Sequence, residues 1–252
     1  MSFVVPADAY DRFMGRYSVH LSPQLADVAG VAPGQRVLDV GSGPGALTAE
    51  LVDRLGADSV AAVDPSEPFV AAARERYPEV DVRQAPAEQL PFADGEFDAA
   101  LAQLVVHFMA DPVAGLREMA RVTRDGGIVA ACVWDLGGGR APLSTLWRAA
   151  HELDPNAQDE SHLAGVHEGQ LEQLLAAAGL RDVTSSVLSV SVEHLSFEDW
   201  WEPYELGVGP AGGYVRGLDE ESRAALRDRC RELLGEPPFS VDAEAWAARG
   251  VV

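Results

Sequence analysis

Residues 37–48, "VLDVGSGPGALT", join an apolar run to three glycines that stand two residues apart. The apolar part predicts the end of a buried strand, and Gly41, Gly43 and Gly45 follow it directly. Glycine has no Cβ atom and adopts backbone dihedrals that other residues avoid. The pattern therefore predicts that another group comes close to this backbone. Amides at the start of the following helix are suited to a carboxylate or a phosphate.

Apolar runs alternate with amphipathic segments on both sides of this motif through the first 180 residues. The segments between the runs carry apolar residues at three- and four-residue spacing, which is typical of helices. This alternation predicts βαβ units and a mostly parallel sheet that is covered on both faces. Five strands are predicted here: "RVLDV" (36–40), "SVAAV" (59–63), "VDVRQ" (80–84), "FDAALAQ" (97–103) and "GIVAACVW" (127–134).

The pattern changes after Trp134. A helix and a polar loop are predicted within residues 140–165, and "GQLEQLLAAAGL" predicts a further helix that stops at its glycine. Two segments, 183–196 and 238–250, alternate apolar and polar residues as strands with one solvated face do. The aromatic and charged stretch between them predicts an insertion that covers one end of the sheet.

The composition argues against several classes of protein. The formal net charge is -21, and all 19 basic residues are arginine against 40 Asp plus Glu. Such acidity repels a phosphate backbone, so no nucleic-acid partner is expected, although acidity is also typical of proteins from salty environments. Cys132 and Cys230 stand alone and indicate neither a metal site nor a disulfide framework. No leader or membrane span is predicted, and we expect a cytoplasmic location.

Acidic residues follow the second and third predicted strands. Asp64 comes about twenty residues after the glycine loop, where a carboxylate accepts the hydroxyls of a bound ribose; its alternative role is at the start of the helix that begins near Glu67. Ala87 and Glu88 follow the third strand and would border an adenine ring, or form a simple acidic turn. The glycine spacing alone leaves the ligand open, because nicotinamide and flavin sites show GxGxxG.

Taken together, these motifs resemble the class I S-adenosylmethionine-dependent methyltransferases. The resemblance is to their small-molecule branch, similar to the ubiquinone and menaquinone biosynthesis methyltransferases, and it covers residues 8–134 well. It implies a doubly wound, Rossmann-like, seven-stranded α/β sheet whose last strand is antiparallel. One methyltransferase domain, 1–252, is predicted, with these parts: an N-terminal helical lid (1–30), a cofactor-binding core (31–134), the second half of the sheet (135–195 and 237–252) and an inserted helical cap (196–236).

The resemblance also implies which residues bind the cofactor, S-adenosylmethionine. Residues 41–45 would pass beneath its methionine and ribose parts, Asp39 would help to hold the amino group, and Asp64 would bind the ribose hydroxyls. An aromatic face and a guanidinium from the N-terminal segment would meet the sulfonium and the carboxylate. The full set is Tyr10, Arg16, Asp39, Gly41, Ser42, Gly43, Gly45, Asp64, Pro65, Ser66, Ala87, Glu88 and Gln103. The alternative for the N-terminal segment is an amphipathic helix with Phe13, Met14 and Tyr17 in the core.

Methyl transfer to a small-molecule acceptor through oxygen, nitrogen or carbon is the expected reaction, by direct in-line displacement. His107 is the candidate base if the acceptor loses a proton; its alternative is a hydrogen-bonded core histidine. Four cap-region aromatic residues are candidates for the acceptor site, or for a separate hydrophobic cluster: Trp147, Trp200, Trp201 and Tyr204. A nicotinamide-dependent oxidoreductase and a non-catalytic cofactor-binding protein remain alternatives, and a homodimer stays open.

Overall fold

The computed structural model describes residues 6–252, and the first five residues of the predicted lid lie outside the described residues. A seven-stranded sheet in the order β3-β2-β1-β4-β5-β7-β6 forms its centre. The strands are β1 (Val37–Val40), β2 (Val60–Asp64), β3 (Asp81–Gln84), β4 (Phe97–Gln103), β5 (Thr123–Trp134), β6 (Arg181–His194) and β7 (Phe239–Val251). The predicted fold class is confirmed, because β7 is antiparallel to both β5 and β6 while the other pairs are parallel.

Helices cover both faces of this sheet and also precede it. They are α1 (Ala7–Tyr10), α2 (Arg16–Ala29), α3 (Ala46–Leu55), α4 (Glu67–Arg76), α5 (Pro112–Val122), α6 (Ser144–Leu153), α7 (Gln170–Ala177), α8 (Phe197–Glu205), α9 (Gly209–Gly217) and α10 (Glu220–Leu234). A π-helical turn, Asp11–Gly15, joins α1 to α2. The helical cap predicted before the last strand is confirmed, since α8, α9 and α10 lie between β6 and β7.

Burial on both faces explains why the central strands are apolar along their whole length. Alternate residues of β1 face opposite ways: Val37 packs in one hydrophobic cluster, and Leu38 and Val40 pack in the other. β5 begins earlier than predicted, because Thr123 pairs with Phe97 before an irregularity in the register. The parallel register brings the carboxyl ends of β1, β2 and β4 to one edge, where ligands bind in such sheets.

The N-terminal segment packs between this edge and the cap. Phe13, Met14 and Tyr17 are buried in the larger cluster, as the core interpretation of the segment predicted. The Phe13 ring meets the Tyr204 ring of α8 edge-on at 5.2 Å between centroids. Over residues 6–252, no helix has both the length and the apolar character needed to cross a membrane.

Candidate functional site

A cavity of about 260 Å³, here called the main cavity, lies at the carboxyl ends of β1, β2 and β4. Nine of the predicted cofactor-binding residues line it: Tyr10, Gly41, Gly43, Asp64, Pro65, Ser66, Ala87, Glu88 and Gln103. Seven further residues complete the lining: Phe69, Pro86, Leu104, Val105, Phe108, Met109 and Ala110. The sequence had given no signal for this second group, which comes mainly from the segment after β4.

The three glycines of the loop after β1 have different neighbours. All three have positive φ, of 71°, 54° and 105° for Gly41, Gly43 and Gly45. A Cβ atom on Gly41 would lie 2.4 Å from Val105, and one on Gly45 would lie 2.5 Å from Tyr77. On Gly43 it would meet only Tyr10, at 4.0 Å. Protein side chains therefore account for the first and third glycines, and only the backbone of Gly43 is left open beside the main cavity.

Asp64 ends β2 and shapes the loop as well as lining the cavity. Its carboxylate accepts hydrogen bonds from the backbone amides of Gly43 (2.9 Å) and Ser66 (2.7 Å). Burial raises the pKa of Asp64, and these two amides oppose the increase. One carboxylate thus joins the loop after β1 to the turn after β2, and it also faces the cavity.

Asp39 and Ser42 lie beneath the loop and do not line the main cavity. The Thr48 hydroxyl donates to Asp39 Oδ2 at 2.7 Å, which joins β1 to α3. Burial raises the pKa of Asp39 to about 7, against the lowering effect of that hydrogen bond. The Ser42 side chain is buried, and its backbone N–H donates to the Val63 carbonyl oxygen at 2.9 Å. In this structure both residues support the loop from below.

Gln103, the last residue of β4, lines the main cavity and has a buried side-chain oxygen without a hydrogen-bond partner in residues 6–252. Its Nε2 donates to the Ser18 carbonyl oxygen at 3.1 Å, which fixes the orientation of the carboxamide. Its Oε1 is buried and has no hydrogen-bond partner within the described part of the chain. A buried acceptor without a donor costs free energy, so this oxygen is suited to a ligand N–H group.

The other wall of the main cavity comes from the loop after β3. Glu88 Oε1 accepts hydrogen bonds from the backbone amides of Ala110 (2.7 Å) and Asp111 (3.2 Å). These contacts hold the segment before α5 against the loop. Glu88 therefore lines the cavity and also fixes the segment that closes it.

Arg16 lies away from the main cavity, in contrast to the role that the resemblance implied for it. Its guanidinium forms a two-pronged ion pair with Asp199 of α8, with N–O distances of 3.0 and 3.1 Å. The same carboxylate accepts from His194 Nδ1 at 2.9 Å, and the Tyr17 hydroxyl donates to His194 Nε2 at 3.0 Å. Arg16 therefore joins α2 to the cap, because Asp199 already balances its charge through two hydrogen bonds.

A second cavity, the inner chamber, adjoins the main cavity beneath the cap. It has a volume of about 40 Å³ and shares Tyr10, Leu104 and Phe108 with the main cavity. Its other lining residues are Phe13, Met14, His107, Trp134, Leu136, Leu143, Glu160, Val208, Gly209, Pro210 and Ala211. Leu104 has φ of 62°, a strained conformation for leucine that occurs mostly where function or packing requires it.

Three titratable side chains with displaced pKa values line the inner chamber, and one of them is Tyr10, whose pKa burial raises to about 12. Burial lowers the pKa of His107 to about 3, and His107 Nδ1 has no hydrogen-bond partner in the part of the chain that the structure describes. Burial raises the pKa of Glu160 to about 7. His107 was a candidate from the sequence. Glu160 was missed, because it lies in a polar loop between α6 and α7 that has no periodicity or motif.

The four aromatic candidates for the acceptor site line neither the main cavity nor the inner chamber. Trp200, Trp201 and Tyr204 pack against one another on α8 with tilted rings, and the ring centroids of Trp200 and Tyr204 are 4.9 Å apart. Trp147 donates from Nε1 to Glu160 Oε2 at 3.0 Å and therefore contacts the chamber only through that residue. The rings on α8 form the hydrophobic cluster that was the alternative interpretation, because each buries its surface against its neighbours.

Sequence comparisons agree with this geometry. Residues 38–131 match the family model described as "Methyltransferase domain". A demethylmenaquinone methyltransferase of Beutenbergia cavernae is 44% identical over 101 residues, which cover 40% of this chain and 41% of that protein. Another, from Mycobacterium sp. strain KMS, is 42% identical over 119 residues, covering 47% and 50%. The chain thus spans about half the length, or less, of these curated relatives.

Solved structures extend the likeness to nearly the whole chain. The YcgJ protein of Bacillus subtilis has a TM-score of 0.59 at 19% identity, with 93% of this chain and 97% of that chain covered. Geranyl diphosphate C-methyltransferase of Streptomyces coelicolor A3(2), solved with S-adenosyl-L-homocysteine, has a TM-score of 0.55 at 18% identity, covering 94% and 80%. At such identities the likeness establishes the fold. Residues 38–131 are therefore similar to a methyltransferase domain, and the fold of the whole chain is that of the solved methyltransferase structures.

Proposed function

We propose that this protein binds S-adenosylmethionine in the main cavity and transfers its methyl group to a small-molecule acceptor in the inner chamber. The observation that carries the proposal is the combination of Asp64, the open backbone of Gly43 and the unsatisfied Gln103 Oε1 around one cavity. These groups fit an adenosine that carries an amino acid: a carboxylate for ribose hydroxyls, room beside a loop, and an acceptor for an ammonium group.

The charge of the main cavity favours this ligand over a nicotinamide dinucleotide. Asp64 and Glu88 are its ionisable carboxyl groups, and among the described residues that line it no side chain is basic. A pyrophosphate would bring two more negative charges toward these carboxylates without a cation to balance them. A sulfonium and an ammonium would instead be attracted. This contrast disfavours the oxidoreductase alternative.

Each remaining residue has a role that follows from its position. Pro65, Ser66, Ala87 and Glu88 would border the adenine, and Tyr10, which lines both cavities, would lie where the main cavity meets the inner chamber. When bound, S-adenosylmethionine supplies a methyl group that is activated by the positive charge on sulfur. The chain would contribute alignment and exclusion of water, which together lower the barrier by several kcal/mol.

Calorimetry with an Asp64→Asn variant tests the cofactor proposal. An amide cannot accept as a carboxylate does, and hydrogen bonds to charged groups contribute about 1.5–3 kcal/mol, so we expect a roughly ten- to hundredfold loss of S-adenosylmethionine affinity. Asp58→Asn is the matched control, because Asp58 is exposed just before the opposite end of β2. Tight binding of NAD without binding of S-adenosylmethionine would discard the proposal.

We propose that the methyl acceptor is a small organic molecule. The names of the curated relatives support such an acceptor. Release of S-adenosylhomocysteine with a panel of acceptors would distinguish an enzyme from a non-catalytic binding protein. We also propose the cytoplasm as the location and no nucleic-acid partner. The homodimer considered from the sequence stays a prediction that sedimentation equilibrium would test.

A further inference from the structure

Glu160 forms part of the wall between the inner chamber and a cavity at the surface. The surface cavity has a volume of about 520 Å³, and its lining includes Trp147, His151, Asp159, Glu160 and Ser161. Glu160 also lines the inner chamber, although only 4% of its surface is exposed to solvent. An ionisable side chain that lines both cavities is placed to carry a proton between them.

The carboxyl group of Glu160 is held in place by an indole. Trp147 Nε1 donates to Glu160 Oε2 at 3.0 Å, and the Trp147 ring packs against the Tyr214 ring with centroids 5.2 Å apart. A neutral N–H donor satisfies one oxygen without supplying the positive charge that an ion pair would give. The carboxyl group is thereby oriented and remains free to gain and lose a proton.

Besides Glu160 and Tyr10, His107 lines the otherwise largely apolar inner chamber. Its ring packs on Phe108, with centroids 4.0 Å apart, and its Nδ1 is buried without a partner among residues 6–252. Because burial lowers the pKa of His107 to about 3, the ring is neutral near pH 7 and is a poor base. It is therefore suited to a hydrogen bond with the acceptor and not to removal of its proton.

The volume of the inner chamber limits the size of the acceptor that it can bind. One water molecule needs roughly 10–15 Å³ of such volume, so about 40 Å³ corresponds to about three waters, close to one small ring. Aromatic and aliphatic side chains form most of its walls, including Phe13, Phe108 and Trp134. A planar single-ring compound with one hydroxyl matches the volume of the chamber and the polar groups of Glu160, His107 and Tyr10 on its walls.

Resting on the proposed function, we propose that Glu160 takes the proton from a single-ring, phenol-like acceptor in the inner chamber and releases it to water in the surface cavity. The acceptor's O–H bond breaks, and the proton passes to the Glu160 carboxylate. The acceptor oxygen uses the electron pair to bond the methyl carbon, and the pair of the former methyl–sulfur bond stays on sulfur. The proton then leaves through the surface cavity, which restores the carboxylate.

The charged and titratable groups around Glu160 are consistent with this cycle. Burial and, to a smaller extent, the charge of Asp159 raise the pKa of Glu160 to about 7, and the Trp147 hydrogen bond opposes this increase. His151 Nε2 lies 3.6 Å from Asp159 Oδ2, and Arg148 also lines the surface cavity. On the chamber side, the wall includes the neutral ring of His107 and also Tyr10, whose pKa burial raises to about 12, and Tyr204 interacts electrostatically with Glu160. A carboxyl group with this pKa is half ionised near neutral pH, which is the best range for a base.

Two measurements test the proposal without turnover. Infrared difference spectra of the protein loaded with S-adenosylhomocysteine should show a buried carboxyl group that titrates near pH 7 and is missing in Glu160→Gln. Phenol binding to the same complex, followed by calorimetry, should tighten as the pH rises through that value, because the ionised carboxylate accepts the phenol hydroxyl. Glu160→Gln should show no such trend. Absence of phenol binding by the wild type, or an equal trend in the variant, would overturn the proposal.

Turnover with a panel of phenols supplies the second test. Glu160→Gln should reduce kcat by about 10²- to 10⁴-fold, with S-adenosylmethionine affinity kept within about threefold. Formate should restore part of the activity of Glu160→Ala by entering through the surface cavity. Trp147→Phe should move the pH inflection of kcat upward, because it removes the hydrogen bond that lowers the Glu160 pKa. Glu168→Gln is the matched control, since Glu168 is an exposed residue of the same loop.

The outcomes separate this proposal from the proposed function. A wild-type protein that binds neither S-adenosylmethionine nor S-adenosylhomocysteine would refute the function, while infrared titration of the free protein would still test the state of Glu160. A wild type that methylates phenols, together with a Glu160→Gln variant of equal kcat and pH profile, would refute only the role of Glu160. No methylation of any phenol in the panel would refute the acceptor class.

Discussion

Glycine-to-alanine substitutions in the loop after β1 can separate an effect on stability from an effect on cofactor binding. An alanine in the left-handed conformation costs about 1–2 kcal/mol wherever it stands. At Gly43 the added Cβ would meet only Tyr10, at 4.0 Å. We expect Gly43→Ala to lose about that free energy of unfolding and no more, while its methyl group narrows the main cavity. Steric crowding between this methyl group and the ligand should cost about 1–3 kcal/mol of binding free energy, which corresponds to a roughly ten- to hundredfold loss of S-adenosylmethionine affinity.

Two glycines serve as comparisons for Gly43. Gly34 has φ of 90°, and no atom lies within 4 Å of the position that an added methyl group would take, so Gly34→Ala should lose similar stability and keep full affinity. Gly41→Ala should lose about 2–5 kcal/mol, because its Cβ would also lie 2.4 Å from Val105. Urea unfolding and calorimetry would measure both quantities. A folded Gly43→Ala variant with unchanged affinity would refute the assignment of the cofactor to this loop.

Two further variants test the supporting contacts. Arg16→Met should lower the free energy of unfolding by about 1–2 kcal/mol, because the ion pair with Asp199 is only partly buried. The variant should be cleaved faster by proteases within the cap and should keep its S-adenosylmethionine affinity within about threefold. A large loss of affinity with an intact cap would contradict the placement of Arg16. Asp39→Asn should gain stability relative to the wild type as the pH rises from about 4 to about 7, by an amount of order 3 kcal/mol in urea unfolding. Burial raises the pKa of Asp39 in the native protein to about 7. Between these pH values the unfolded chain has released this proton while the native protein still binds it, so the wild type loses stability as the pH rises. A pH-independent difference would contradict that pKa.

Local signals in the sequence predicted the parts of the site that are formed by neighbouring residues. The glycine loop, Asp64 at the end of β2 and Gln103 at the end of β4 each follow a strand that its apolar run had already located. Parallel strands place their carboxyl ends at one edge, so these residues come together without further information. The observed limits of β4, Phe97–Gln103, coincide with the predicted strand.

Contacts between distant segments could not be predicted in this way. Arg16 pairs with Asp199, 183 residues further along the chain, and no pattern near either residue indicates the other. Glu160 lies in a loop without periodicity, and its chemistry comes from burial, which the cap supplies. The cap aromatic residues were recognised as a group, but composition does not say whether a ring faces a ligand or another ring.

The glycine at position 41 is required by a contact between the segments that follow two strands more than by a contact with a ligand. Gly41 is required by Val105, and Val105 is held there by the left-handed turn at Leu104, whose N–H donates to the Cys132 carbonyl oxygen at 2.8 Å. Strain at such a residue persists only where the surroundings determine it. Leu104 also lines both the main cavity and the inner chamber. The same turn therefore sets the shape of the glycine loop and the boundary between the two cavities. A change at residues 104 or 105 should consequently alter binding in both of them.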